Sequence, residues 1–248
     1  MRVLSGSDLT DELSDAQLDE LYAVPHRPWL RVNMISTLDG AATGEDGKSG
    51  GINNEADHRV FESLRRLCDV VLVGAGTARV EGYRDLSQPL VLVSRRGADP
   101  PQLREAEPGS VLMATCAAAE RLADARATLG DEQVLVLGHH RVDLAALKQT
   151  LVDRGWTSIL SEGGPHLLRD LLAEGVVDEL DLTVVPRVLG GLHPRITDGA
   201  PLDVPLEPAL LLEDGGTLLG RWLTRVSRAA RSRRATPGGP RPPTRAAA

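Results

Sequence analysis

The stretch Ser158-Ile-Leu-Ser-Glu162-Gly163-Gly164-Pro165-His-Leu-Leu-Arg-Asp-Leu-Leu172 constrains the fold more than any other part of this chain. It reads as a short apolar strand, a Glu-Gly-Gly-Pro turn, and a helix with Leu167, Leu168, Leu171 and Leu172 on one face. Glycines admit backbone geometries and close approaches that a Cβ forbids. Pro165, at the first helical position, gives up only an N–H with no partner inside the helix. Such a helix start exposes N–H groups and the positive end of the dipole, where a phosphate or pyrophosphate binds. Glu162 stands either at the mouth of that pocket or as an ordinary capping or solvated turn residue.

The same grammar recurs along the chain. Val70-Val-Leu-Val73 is a buried strand that runs into Gly74-Ala75-Gly76-Thr77 and a short helical turn. This is not the dinucleotide fingerprint, because Arg79 stands where a third glycine belongs, but the loop still suits a phosphate. Strands are predicted at 29–36, 90–94, 111–114 and 134–137, and helices at 14–22, 53–68, 117–129 and 144–152. Alternation of this kind specifies an α/β fold whose largely parallel sheet is covered on both faces. The end of the chain differs. Residues 178–185 and 217–226 read as two strands joined by a Pro- and Gly-rich connection, which predicts an antiparallel C-terminal edge. The glycine-rich segment 38–51 is long enough, without structure of its own, to be functional.

Composition narrows the function classes. After residue 226 come six arginines and no acid, so the first 226 residues carry −13 of a chain whose net charge is −7. An acidic body argues against a nucleic-acid-binding core. The Arg-, Pro- and Ala-rich tail, 227–248, buries too little apolar area to order. No run approaches the roughly 18 apolar residues of a membrane span, and the first residues have no apolar signal-peptide core. Cys68 and Cys116 are isolated in apolar patterns, which points to buried thiols, a reducing cytoplasm and no metal site. The expected organisation is a helical extension over 1–27, one domain over 28–226, and the tail.

Three stretches together resemble one family. They are Ser36-Thr-Leu-Asp-Gly40; Leu64-Arg65 followed by Val71-Leu-Val-Gly-Ala-Gly-Thr77; and Glu162-Gly-Gly-Pro165 followed by Val177-Asp-Glu179 and Pro186-x-x-Leu189-Gly-Gly191. Their order and spacing are similar to those of the reductase domain of riboflavin biosynthesis, the pyrimidine reductases of dihydrofolate reductase-like fold. That resemblance implies a three-layer αβα domain and an NADPH-dependent reduction of 5-amino-6-(5-phosphoribosylamino)uracil, in a homodimer. It implies that Gly163, Gly164, Pro165, His166 and Leu167 hold the cofactor pyrophosphate, with Gly74, Gly76 and Thr77 opposite. Ile35 and Gly51 would flank the nicotinamide, and Ser94 and Arg95 would reach the cofactor's 2′-phosphate unless they form a solvated turn. Ser49, Arg65 and Glu162 match substrate-contacting positions, with Arg65 a fork for the substrate phosphate.

The chain also departs from the family pattern. Glu81-Gly82-Tyr83 replaces the usual Asp-Asp-Pro, and Gly51 replaces a bulky residue, which predicts a roomier nicotinamide pocket. The deaminase signature His-x-Glu with Pro-Cys-x-x-Cys does not occur in the chain. The proton donor is Glu81, Glu162, Asp39 or an ordered water; Asp39 reads equally well as a structural turn residue. Two alternatives stay open: a paralogue that reduces dihydrofolate or another pterin, and a nucleotide-binding protein without catalysis.

Overall fold

Aliphatic strands alternating with amphipathic helices build one ten-stranded sheet with helices on both faces. The computed structural model describes residues 1–6, 12–83, 86–98, 106–107 and 109–224. The expected tail and its boundary after residue 226 lie outside the described residues. In chain order the elements are β1 (Arg2–Ser5), α1 (Asp15–Tyr22), β2 (Trp29–Thr37), α2 (Glu55–Arg66), β3 (Val70–Gly74), α3 (Ala75–Glu81), β4 (Leu90–Val93) and β5 (Val111–Thr115). Then follow α4 (Leu122–Leu129), β6 (Val134–Val136), α5 (Leu144–Asp153), β7 (Ser158–Ser161), α6 (Pro165–Ala173), β8 (Glu179–Val185), β9 (Leu206–Asp214) and β10 (Thr217–Thr224).

The strand order is β1-β9-β10-β8-β2-β7-β3-β4-β5-β6. From β8 to β6 every neighbouring pair is parallel, whereas β10, β9 and β1 add on antiparallel beyond β8. This is the three-layer αβα architecture with an antiparallel C-terminal edge that the sequence predicts. Leu147 and Leu151 of α5 and Leu168 and Leu171 of α6 pack on Leu30, Val32, Leu72 and Ile159 on one face. On the other face, Val60 and Leu64 of α2 and Leu18 and Tyr22 of α1 cover Val71, Val73, Leu92 and Leu160.

Three local expectations are revised. Helix α4 starts at Leu122 rather than Ala117, because the N–H groups of Ala117, Ala118 and Arg121 are drawn to the carbonyls of Gly138, His139 and Arg96. Strand β9 lies inside the connection read as irregular. Its Pro208 sits beside a register shift in the β9–β10 ladder, a place where a proline's missing N–H is tolerated. Residues 1–27, expected as a helical extension, also contribute β1, which pairs with β9.

Buried charges fasten α1 to the sheet. Arg31, Glu179, Asp181 and Arg221, on β2, β8 and β10, are all buried. Arg221 forks onto Glu179 at 3.0 and 2.7 Å, and the Trp29 indole donates to the same carboxylate at 3.1 Å. Arg31 donates to the Tyr22 carbonyl at 2.8 Å and Arg221 to that of Leu21, so two guanidinium groups satisfy orphan carbonyls in the last turn of α1. Burial and the neighbouring Glu179 push the Asp181 carboxyl well up. Burial acts on Glu179 in the same sense but is outweighed by Arg31 and Arg221, which hold it low.

Candidate active site

Strands β3 and β7 run side by side, with Val70 opposite Ile159, and each ends in a glycine-bearing turn that starts a helix. The Gly74 N–H donates to the Gly163 carbonyl at 2.8 Å, tying the two turns together. Both glycines of the second turn are required. Gly163 has φ +79° and a Cβ there would meet the Met34 sulfur at 2.8 Å, while a Cβ on Gly164 would overlap the Thr77 hydroxyl. The Gly163–Gly164 peptide is cis.

Between the turns opens a cleft of ≈ 490 Å³ lined by Gly74, Ala75, Gly76, Thr77, Val93, Arg95, Gly164, Pro165, His166, Leu167 and Asp170. Neither α3 nor α6 has a side chain capping its first N–H groups. Two uncapped helix starts and the Arg95 guanidinium therefore face one space, a chemistry that fits the pyrophosphate of a nicotinamide dinucleotide. Gly74, Gly76, Thr77, Arg95, Gly164, Pro165, His166 and Leu167 are thus brought together as the sequence predicts. Gly163 serves the turn through its carbonyl. Ser94 does not join them, because its hydroxyl accepts the Ala98 N–H at 3.0 Å and donates to the Ala98 carbonyl at 3.2 Å. It closes the turn that carries Arg95.

One residue before Gly163, the Glu162 side chain is almost fully buried at 3 % exposure. Arg65 forks onto it at 2.7 and 2.9 Å, and the Tyr83 hydroxyl donates to the same carboxylate. The Arg65 guanidinium also lies 4.1 Å from the Phe61 ring centroid. Burial and the adjacent Glu162 charge push the Tyr83 phenol well above its ordinary range, so it stays protonated and acts as a donor. The fork expected to clamp a substrate phosphate is therefore already engaged by Glu162. Glu81, at the end of α3, accepts the Ser49 N–H at 2.9 Å and so joins the glycine-rich loop to the same region.

The remaining predicted residues sit elsewhere. Ile35 packs with Ile52, Val185 and Leu189 in a small apolar cluster. A Cβ on Gly51 would meet Gly44 Cα at 3.0 Å and the Asp46 carboxylate at 2.8 Å, so this glycine permits loop packing and does not enlarge a pocket. Asp39 accepts from the Thr37 hydroxyl and from the N–H groups of Leu189 at 3.1 Å and Gly190 at 2.7 Å. Those bonds, the Thr37 hydroxyl first, hold its carboxyl below the usual range. A carboxylate engaged by three donors in this way fits the turn reading of Asp39. Among the described residues, no three His, Cys, Asp or Glu side chains converge on a metal position, and no helix is long and apolar enough to cross a membrane.

Tyr83 escapes the sequence reading. For Tyr83 the signal was its place directly after Glu81-Gly82.

The chain is 31 % identical over 191 residues to a 2,5-diamino-6-ribosylamino-4(3H)-pyrimidinone 5′-phosphate reductase of Methanothermobacter thermautotrophicus, covering 71 % of this chain and 87 % of that protein. It is 28 % identical to the riboflavin biosynthesis protein RibD of Mycobacterium tuberculosis, of which the match spans 46 %. Among solved structures, a pyrimidine reductase-like protein of Corynebacterium diphtheriae superposes with a TM-score of 0.69 at 24 % identity, over 79 % of this chain and 92 % of that one. The riboflavin biosynthesis reductase of Saccharomyces cerevisiae superposes with a TM-score of 0.61 at 16 % identity, over 87 % and 93 %. Both share the fold described above. The profile of the RibD C-terminal domain matches residues 28–219, from the start of β2 into β10, and the chain belongs to that family.

Proposed function

We propose that this chain is an NADPH-dependent reductase of a ribosylaminopyrimidine 5′-phosphate in riboflavin synthesis. The observation that carries the reading is the continuity of Glu162, Gly163 and Gly164. Residues 163 and 164 build the dinucleotide cleft while residue 162 anchors the Arg65–Tyr83 cluster beside it. Bound cofactor and reacting sugar are thereby held next to each other, and positioning of this kind is the main catalytic contribution where a cofactor carries the chemistry.

NADPH, when bound, supplies a hydride from C4 of its nicotinamide. The protein's part is to bind and orient. The starts of α3 and α6 line the cleft and suit the pyrophosphate, and Arg95, on the same lining, suits the 2′-phosphate that distinguishes NADPH from NADH. On the substrate, the ring oxygen of the ribosylamine leaves C1′ and takes the amine proton, giving an open-chain imine. Hydride then adds to C1′, and the nitrogen takes one proton. Glu81 and Glu162 are the carboxyl groups of this region, and Tyr83, kept protonated, donates to Glu162. Glu162, like Asp39, is engaged by three donors, so the acid is sought at Glu81 or at water held beside it.

The half-exposed apolar stretch around Leu189 supports a homodimer. Leu38 and Val188 are 63 % and 71 % exposed, and the Leu38 N–H donates to the Arg187 carbonyl at 2.9 Å, which holds the two segments together. The free, buried thiols of Cys68 and Cys116 fit a reducing cytoplasm.

The test is loss of NADPH absorbance with purified protein and a ribosylaminopyrimidine phosphate. Turnover that disappears in Glu162→Gln, with NADPH affinity retained, is the expected result. Tight NADPH binding with no turnover of any pyrimidine would overturn the reading.

A further inference from the structure

Helix α2 is held from two sides. On one side Arg65, stacked on Phe61, forks onto Glu162. On the other, Arg59, Ser63 and Arg66, at i, i+4 and i+7, face α1 and the residues that lead into it. Asp19 of α1 accepts the hydroxyl of the fully buried Ser63 at 2.6 Å and the Arg66 guanidinium as a fork at 3.1 and 2.8 Å. The Arg66 bond, helped by Ser63, outweighs partial burial and holds the Asp19 carboxyl below its usual range. Arg59 adds bonds to the Leu13 carbonyl at 2.7 Å and to Asp15 at 2.9 Å. Helix α1 gives these bonds a fixed base, because Arg31 and Arg221 rise from the sheet to hold the Tyr22 and Leu21 carbonyls.

Packing of Val60 and Leu64 keeps α2 on the sheet but is non-directional, so it sets rotation about the helix axis only loosely. A rotation of about 10° carries a point on the rim of a helix, about 5–6 Å from its axis, through about 1 Å. A shift of that size opens the Arg65–Glu162 fork, whose bonds are 2.7 and 2.9 Å. We propose that Asp19 is a positioning residue of the active site: by holding Ser63 and Arg66 it sets the rotation of α2, and with it the place of Arg65 and Glu162 beside the reacting sugar. The inference rests on the reductase reading and adds an element to it, because α1 precedes residues 28–219, which the family profile matches. The glycine turns of the cofactor cleft follow β3 and β7, so they do not depend on Asp19.

The experiment has two readouts on the full chain. One is steady-state turnover with NADPH, offering 5-amino-6-(5-phosphoribosylamino)uracil and its 2-amino counterpart in parallel. The other is solvent exchange of the Arg65 Nε–H in 1H–15N spectra of the ligand-free protein, assigned by its loss in Arg65→Lys. Asp19→Ala should lower kcat/KM by roughly 10- to 100-fold, mostly through KM of the pyrimidine, with NADPH affinity unchanged. It should also speed the Arg65 exchange by about tenfold or more. Asp19→Asn, which still accepts the Ser63 hydroxyl, should lie between the two. A merely structural role would lower only the urea midpoint, so wild-type kcat/KM and exchange in Asp19→Ala overturn the inference. Loss of NADPH affinity in step with turnover also overturns it. Should Asp19→Ala fold poorly, Ser63→Ala removes one of the same bonds from the other side and should move both readouts in the same direction by less. No turnover of either pyrimidine by the wild type overturns the reductase reading, and the Arg65 exchange then decides the inference by itself.

Discussion

Removing either partner of the Arg65–Glu162 pair should have unequal consequences, and the structure says which is worse. Arg65→Leu leaves the Glu162 carboxylate, 3 % exposed, with Tyr83 as its remaining side-chain donor. Stranding a buried charge in this way costs about 3–5 kcal/mol. Glu162→Leu leaves Arg65, 22 % exposed and stacked on Phe61, able to turn part of its guanidinium to water, for which a loss of about 1–2 kcal/mol is expected. The double variant removes both charges and strands neither, so it should be destabilised by less than the sum of the singles, with a coupling energy of about 2 kcal/mol. Urea unfolding of the ligand-free protein measures all four corners of the cycle, provided the slope with denaturant stays constant. Additivity within about 0.5 kcal/mol, or an Arg65→Leu cost below about 1 kcal/mol, would refute the view that Arg65 is the main partner of the buried Glu162 side chain.

Other residues give further tests. Gly164→Ala should weaken NADPH binding about tenfold or more, because the added Cβ meets the Thr77 hydroxyl at the cleft, and Thr77→Ala should restore part of the loss; isothermal titration reads both. For Asp69, burial would raise the carboxyl, but the Ser158 N–H, Arg27 and the Thr157 N–H outweigh it and hold it low. A depressed folded value means stability present above the unfolded range, near pH 4, and lost as pH falls through the folded value. Asp69→Asn should therefore be less stable than wild type at neutral pH, with the gap closing under strong acid in pH-dependent melting. Asp39→Ala should expose the segment around Leu189 and Gly190 to limited proteolysis while NADPH affinity holds. Loss of turnover with that segment still protected would return Asp39 to the chemistry.

How much was legible differs between the fold and the site. Period and punctuation sufficed for the parallel core, because Val70-Val-Leu-Val73 and Ser158-Ile-Leu-Ser161 are buried on both faces and each runs into a glycine-bearing turn. The cleft between the two glycine turns followed from the same signals, since backbone N–H groups at a helix start need glycine and proline in sequence and little else. Strands β1 and β9 were not legible. One is four residues long and the other contains Pro208; β9 is a strand because it has β10 and β1 to pair with, and β1 because it has β9.

The sequence by itself therefore determined the α/β class, the order of the central units and the two glycine turns, all of which rest on interactions between near neighbours in the chain. Tertiary structure alone decided what the charged residues do. Arg65 meets Glu162 across 97 residues, Arg221 meets Glu179 across 42, and Asp39 reaches Gly190 across 151. Whether a carboxylate is a proton donor or an anchor depends on burial and on the donors facing it. Those are fixed only when distant strands and helices close over one another.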